Sequence, residues 1–274
     1  MIGNPVAHSR SPFIHAAFGQ QTGIALEYEK LCAPMDGFAP AVAQFFSAGG
    51  IGLNVTVPFK EQAWALAQHG LSDRAKIAGA VNTLWQDNGQ LKGCNTDGVG
   101  LLTDLRRQDA DPKNKKVLLV GAGGAAKGVA FPLLEAGCAQ LHVINRTSER
   151  ATALRESVLQ HKPTLGDRLT AGDLNSANGQ WDIVINATSS SLGDQVPAIA
   201  GLSFADGSMA YDMFYAAQPT AFMRYASQQG ASKVCDGLGM LVGQAAVSFD
   251  IWHGVMPDVA PVLQALRKQL NDRV

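Results

Sequence analysis

The chain has 274 residues, of which 46% are hydrophobic and 16% charged, with a formal net charge of -1. That length allows one large domain or two, each able to bury a core, and the apolar share is too high for a disordered chain. The balanced charge supplies no global field toward nucleic acid or an anionic membrane, so an anionic ligand must be held by a few local groups.

The opening residues, MIGNPVAHSRSP, lack a basic segment followed by an apolar stretch, so no secretory signal is expected. Ser9-Arg10-Ser11-Pro12 reads as a helix start, with Ser11 as N-cap and Pro12 at the first helical position. Two hydroxyls beside exposed helix N–H groups would also hold a small carboxylate, and these four residues alone do not choose between the roles. Further helices are predicted near Gly37 and after Lys60, interleaved with strands near Leu26–Leu31, Leu53–Val57 and Val81–Trp85. The first hundred residues therefore read as an α/β unit.

The stretch from Asn54 through Thr56, Pro58 and Phe59 to Lys60 ends a strand and enters a helix. A helix start disfavours a permanent cation, and that is the setting a lysine needs to exchange protons near neutral pH. A plain surface lysine is the alternative; the Pro-Phe before it and the polar Asn54 and Thr56 make it less attractive. Asn95-Thr96-Asp97-Gly98 precedes a helix whose apolar face is Val99, Leu102 and Leu105. Asp97 either caps that helix or orients Lys60 and holds a substrate hydroxyl.

After a polar, Lys-rich connection at Asp109–Lys116 come four short apolar runs, Val117–Val120, Leu141–Ile144, Ile183–Asn186 and Met209–Asp212. Each is followed by a turn signal and mostly by a helical pattern, which predicts a parallel sheet covered by helices. The first run leads into Gly121-Ala-Gly123-Gly124-Ala125-Ala126-Lys127-Gly128. There a strand ends, glycines make a tight turn and a helix begins, so that backbone N–H groups can approach a pyrophosphate at the positive end of the helix. Glycine turns are common, but this one has the strand before, the helix after and small Ala126 where close packing is needed.

Binders of NAD usually place an acid about 20 residues past the glycines to accept the ribose hydroxyls. This chain reads Asn145-Arg146-Thr147 there. No carboxylate repels a 2′-phosphate and Arg146 can hold one in bidentate fashion, so NADP is expected. Ile183–Asn186 ends in Ala187, Thr188 and Ser189, small residues at the edge of the sheet where ligands bind.

The tail, 237–274, is helical with a break at Gly254 and Pro257. Its stretch Gly237–His253 is apolar almost all round and should be buried between layers. Gln244 lies on the stripe of Met240, Val247 and Ile251 and must find a partner, either a ligand hydroxyl or a backbone carbonyl. The four cysteines, Cys32, Cys94, Cys138 and Cys235, form no CxxC or Cys/His cluster and read as reduced thiols of a cytoplasmic protein. No motif suggests a metal.

Taken together, these motifs make the chain closely resemble the shikimate dehydrogenase family. The resemblance rests on GNPVAHSRSP (3–12), NVTVPFK (54–60), GAVNT (79–83), NTDG (95–98), GAGGAAKG (121–128), NRT (145–147), NATS (186–189), YDMFY (211–215) and DGLGMLVGQA (236–245), in the right order from end to end. It implies an α/β substrate domain at 1–97, rejoined by helices of 236–274, and a Rossmann-type doubly wound NADP-binding domain at 98–235. It implies reversible NADPH-dependent reduction of 3-dehydroshikimate to shikimate, in the pathway to aromatic amino acids, by a monomer or homodimer. By the same resemblance Lys60 and Asp97 are catalytic, and Ser9, Ser11, Thr56, Asn82, Tyr215 and Gln244 bind substrate. Gly121, Gly123, Gly124, Ala125, Asn145, Arg146, Thr147, Thr188, Met213 and Gly237 would bind the cofactor.

The chain departs from the family pattern in two places. Family members carry several more apolar residues ahead of GNP, forming the first strand, where this chain reads Met1-Ile2; either the sheet of the substrate domain is weakened or the sequence is a shortened one. Ser190 and Ser191 follow NATS where glycine is common, so a changed loop is expected beside the cofactor. Two rivals bound the reading. A quinate or dual quinate/shikimate dehydrogenase often uses NAD, which Asn145-Arg146-Thr147 disfavours. A sensor that binds NADP(H) without turnover would need the glycine turn but not Lys60, Asp97, Thr56 and Asn82 in step.

Overall fold

A computed structural model describes residues 1–272. The first unit runs β1 (Ile2–Gly3), α1 (Ser11–Thr22), β2 (Leu31–Cys32), α2 (Phe38–Ser47), β3 (Gly52–Asn54), α3 (Lys60–Leu66), α4 (Asp73–Ala78), β4 (Thr83–Asp87) and β5 (Gln90–Cys94). β1 pairs in parallel with β2, Ile2 bridges to Val55, and β3-β4-β5 form an antiparallel sheet. The sequence reading extends the second strand over Leu26–Leu31, but only Leu31 and Cys32 join a ladder, because β1 offers two residues to pair with. It also passes over β5. The signal was present: Asn88 and Gly89, both at positive φ, make the tight hairpin turn between β4 and β5.

The second unit begins with α5 (Asp97–Arg107) and alternates β6 (Lys116–Val120), α6 (Gly124–Glu135), β7 (Gln140–Ile144), α7 (Ser148–His161), β8 (Leu169–Gly172), β9 (Gly179–Asn186), β10 (Leu202–Asp212), α8 (Ala221–Gln228) and β11 (Lys233–Asp236). The six strands are all parallel, in the order β11-β10-β9-β6-β7-β8. Successive side chains alternate between two cores, Val117 and Leu119 on one face and Leu118 and Val120 on the other. This is the doubly wound dinucleotide-binding order, and the strand order reverses between β6 and β9. The carboxyl ends of those two strands, at Val120 and Asn186, open the crevice where such sheets bind ligands.

The chain then returns through α9 (Leu238–His253) and α10 (Val259–Asn271), which pack on α1 through Phe18, Leu238, Val242, Phe249 and Leu266. As the apolar pattern predicts, α9 is buried along most of its length. It crosses α5 at very short range. A Cβ on Gly100 would lie 2.6 Å from Gln244 N and 2.7 Å from Met240 O, and one on Gly243 would lie 3.1 Å from Gly100 O. Backbone cannot yield as a side-chain tip can, so Gly100→Ala should cost about 1–3 kcal/mol of stability by forcing two helices apart. Because α5 carries Asp97 and α9 carries Gln244, activity should fall with it; a denaturation midpoint equal to that of the parent would contradict this account. No helix among the described residues is long and apolar enough to cross a membrane.

Candidate active site

The geometry starts at the α3 entrance. Lys60 is the first residue of α3 and Asp97 the first of α5, and the lysine Nζ lies 2.6 Å from Asp97 Oδ2. The carboxylate offsets the repulsion between the ammonium and its own helix end. Asp97 is not a cap: its backbone N–H is taken by Asn95 Oδ1 at 3.1 Å, which leaves the carboxylate to face the cleft. Its second oxygen accepts Asn82 Nδ2 at 2.8 Å, and the same Nδ2 donates to Thr96 Oγ1 at 2.9 Å. Asn82 Oδ1 in turn accepts from Thr83 Oγ1 and Thr96 N. With Asn82 only 2% exposed, this network fixes the carboxylate before any ligand arrives.

Lys60 and Asp97 open onto a cleft of about 440 Å³ that also holds Ser9, Ser11, Thr56, Asn82, Tyr215 and Gln244. All eight side chains expected to bind or transform substrate therefore meet in one cavity. Met213 and Gly237, expected beside the dinucleotide, lie on the wall of this same cleft. His8 and Arg10, which the sequence reading leaves aside, line it as well. The N-terminal motif departs from expectation in detail. The residue before α1 is Arg10, Ser11 lies within the first turn, and Ser9 Oγ accepts the Ser11 N–H at 3.2 Å. Because the turn is closed by Ser9, no side chain caps α1 and the Ser11 hydroxyl faces the cleft. Gln244 finds the backbone carbonyl weighed for it, Nε2 donating to Leu241 O at 3.0 Å, and its Oε1 accepts from the Thr96 hydroxyl at 3.4 Å, a partner within the protein that the sequence did not point to.

Other buried groups do not compete for this chemistry. His15 stacks on Tyr28 at 4.2 Å and Trp252 at 5.3 Å, and burial, followed by the Met1 ammonium, pushes its pKa down to about 3. It stays neutral as a core residue. Burial pushes the Cys138 thiol up to about 11 and Cys235 up to about 12, so neither is a nucleophile at neutral pH.

A second cleft, of about 680 Å³, opens at the β6–β9 switch point. Gly121 makes the turn at φ +111, where a Cβ would lie 3.1 Å from Thr188 Cγ2 and 3.2 Å from the Ala187 backbone. Gly123 and Gly124 face open space, and no side chain caps α6, so its first-turn N–H groups are left for an anionic ligand. Asn145, Arg146, Thr147 and Thr188 line the same cleft with Ala125. Asn145 Nδ2 donates to Thr147 O at 2.9 Å and so shapes the turn that presents Arg146. Arg150 lines it too. Neither arginine forms an ion pair among the described residues. The four-residue spacing of Arg146 and Arg150 around a helix start is the signal by which the second arginine of this cleft could have been found. One turn along α6, Gly128 abuts the first cleft: its Cβ would lie 3.2 Å from Asp97 Oδ2. The helix behind the glycine turn and the Lys60–Asp97 ion pair are thus neighbours.

A glycine cradle at the switch point of a parallel sheet, touching an ion-paired lysine in a hydroxyl-rich cleft, defines a dinucleotide-dependent oxidoreductase acting on a small polar molecule. Comparison with known proteins carries this further. Residues 1–84 match the shikimate dehydrogenase substrate binding domain, 104–193 shikimate / quinate 5-dehydrogenase, and 237–267 the shikimate 5′-dehydrogenase C-terminal domain. A shikimate dehydrogenase (NADP(+)) of Bordetella petrii is 57% identical over 98% of this chain and 95% of its own, and that of Bordetella avium is 56% identical over 98% and 95%. The crystal structure of shikimate 5-dehydrogenase from Thermus thermophilus in complex with NADP(H) and shikimate superimposes with a TM-score of 0.84 at 36% identity, covering 98% of each chain. The chain belongs to the shikimate dehydrogenase family.

Proposed function

We propose that the chain catalyses the reversible NADPH-dependent reduction of 3-dehydroshikimate to shikimate, with Lys60 as the proton-exchanging group. One observation carries the reading: the 2.6 Å Lys60–Asp97 pair lies in a cleft with every hydroxyl and amide expected to bind substrate. The relatives' names supply the substrate and cofactor, and the cradle at Gly121–Gly124 with Arg146 and Arg150 fits a dinucleotide bearing a 2′-phosphate. NADPH, held along Gly121–Gly124 and Arg146, would supply the hydride for the ketone carbon. Lys60 Nζ gives its proton to the oxygen that gains the electron pair, and takes one back in the oxidising direction.

Asp97 holds the Lys60 ammonium at the required place, and Asn82 holds Asp97. Ser9 and Ser11, at an uncapped helix start, take the substrate carboxylate. Thr56, Tyr215 and Gln244 hold the ring and its hydroxyls, while Met213 and Gly237 lie where this cleft meets the cofactor. Residues 1–97 with 236–272 form the substrate domain in this reading, the last two residues of the expected 236–274 lying outside the described residues, and 98–235 form the NADP domain. Both clefts are lined by one chain, so a monomer or a homodimer serves equally. Four free cysteines suit the reducing cytoplasm.

The decisive assay follows the ultraviolet absorbance of reduced nicotinamide with shikimate or quinate and with NADP or NAD. Shikimate with NADP is expected to be turned over best; no turnover with that pair would refute the assignment. Arg146→Ala should raise the Michaelis constant for NADP by about tenfold, the change that roughly 1.4 kcal/mol produces, and leave that for NAD nearly unaltered. Equal effects on the two cofactors would remove Arg146 as a reader of the 2′-phosphate.

A further inference from the structure

Between the two clefts, at the carboxyl end of β10, sits a side chain that neither cleft includes. Asp212 is fully buried and accepts four hydrogen bonds: from Asn186 Nδ2 at 3.1 Å, Phe214 N at 3.2 Å, Ser191 Oγ at 2.7 Å and Thr220 Oγ1 at 2.6 Å. A carboxylate, which only accepts, is suited to meet four donors at once. Each donor holds something different. Asn186 ends β9 and its Oδ1 accepts both the N–H and the hydroxyl of Thr188, at 3.2 Å and 2.7 Å; Thr188 also meets Ser190 Oγ at 2.7 Å. Thr188 and Ser190 line the dinucleotide cleft. Ser191 belongs to the short turn Ser190–Gly193 that follows them, and it is buried although the loop around it is largely open. Phe214 lies between Met213 and Tyr215 on the wall of the substrate cleft. Thr220 caps α8 by accepting Met223 N, and α8 meets the end of the loop only through the exposed Arg224–Asp194 pair and the packing of Phe222 beside Val196.

The geometry points to Asp212 as a positioning residue that fastens the cofactor-facing loop and the substrate-facing 213–215 segment to one group, and so sets the register between the two clefts. The two serines that depart from the family pattern thereby gain a use: Ser190 hydrogen-bonds Thr188, and Ser191 anchors the loop to Asp212. This inference rests on the proposed cofactor reading, so its test reads binding apart from turnover.

The variants are Ser191→Ala, Thr220→Val and Asp212→Asn, each titrated with NADP by quenching of intrinsic fluorescence, heated to its midpoint and assayed with shikimate. Ser191→Ala should weaken NADP binding by about tenfold, which is roughly 1.4 kcal/mol, with turnover at saturating NADP close to that of the parent. Thr220→Val removes an equally short bond to the same carboxylate but one made by the start of α8, which reaches the loop only past Ser191, through the exposed Arg224–Asp194 pair and apolar packing. It should therefore lower the thermal midpoint by a few degrees, about 1 kcal/mol at this size, and weaken NADP binding far less than Ser191→Ala. Asp212→Asn should do both, and adding Ser191→Ala to it should weaken binding little further. If Asp212→Asn does not fold, the contrast between Ser191→Ala and Thr220→Val decides. Unchanged NADP affinity in Ser191→Ala, or equal losses of affinity in the two single variants, overturns the inference. A parent protein that binds NADP yet turns over no shikimate would sink the functional reading and leave this one standing.

Discussion

Lys60→Ala is expected to lower turnover by about 10³-fold while the Michaelis constant for shikimate moves only a few-fold, because proton transfer by a placed side chain contributes on that scale. The asymmetry follows from the geometry. Ser9, Ser11, Thr56, Tyr215 and Gln244 approach the cleft from α1, from the end of β3, from the segment after β10 and from α9, and none of them depends on Lys60 for its place. On the proposed roles, the groups that hold substrate survive the substitution, while the proton that must reach the reacting oxygen loses its carrier. Steady-state kinetics in the oxidising direction, with NADP saturating, separate the two parameters. A variant that keeps a tenth or more of the parent turnover would show that another group, or water, exchanges the proton, and the assignment of Lys60 would fail.

Asp97→Asn should lower turnover by about 10²-fold, the scale of loss when a reacting group shifts by an ångström or so. Both carboxylate oxygens face donors, Lys60 Nζ on one side and Asn82 Nδ2 on the other. An asparagine must turn its own NH₂ toward one of them, so either the lysine or Asn82 loses its acceptor and moves away. The loss belongs to Lys60, and the Lys60→Ala/Asp97→Asn double variant should accordingly be little slower than Lys60→Ala alone. Multiplicative losses would mean that Asp97 acts on the substrate independently of the lysine. A thermal midpoint measured alongside separates this from simple destabilisation of α5, whose first residue is Asp97.

The nucleotide half was legible because its chemistry is local. A parallel strand buried on both faces must be apolar at consecutive positions, so Val117–Val120 and Ile183–Asn186 announced themselves. The turn at Gly121 needs a positive φ, and the helix behind it needs an uncapped start, both written within eight residues. The missing acid at Asn145-Arg146-Thr147 is equally local. The edge strands β8 and β11 were not legible, since four residues of mixed polarity become strands only when a neighbour offers its ladder. The fragment Leu26–Lys30 failed in the opposite sense: apolar alternation is present, but no strand ladder pairs with it.

What the sequence determined alone, then, is which residue types exist at helix starts and strand ends, because backbone geometry and the helix dipole act within a turn. What only the tertiary structure decided is which of them touch. Lys60 and Asp97 lie 37 residues apart, and Thr96 and Gln244 lie 148 apart, yet the side chains of each pair touch. The meeting of Thr96 with Gln244 goes with a side-chain-free crossing of α5 and α9 at Gly100 and Gly243. In the same way the Asp212 carboxylate finds its donors on residues up to 26 positions away. Hydrogen bonds and close packing reach only a few ångströms, so a partner brought from across the chain leaves no trace in local spacing.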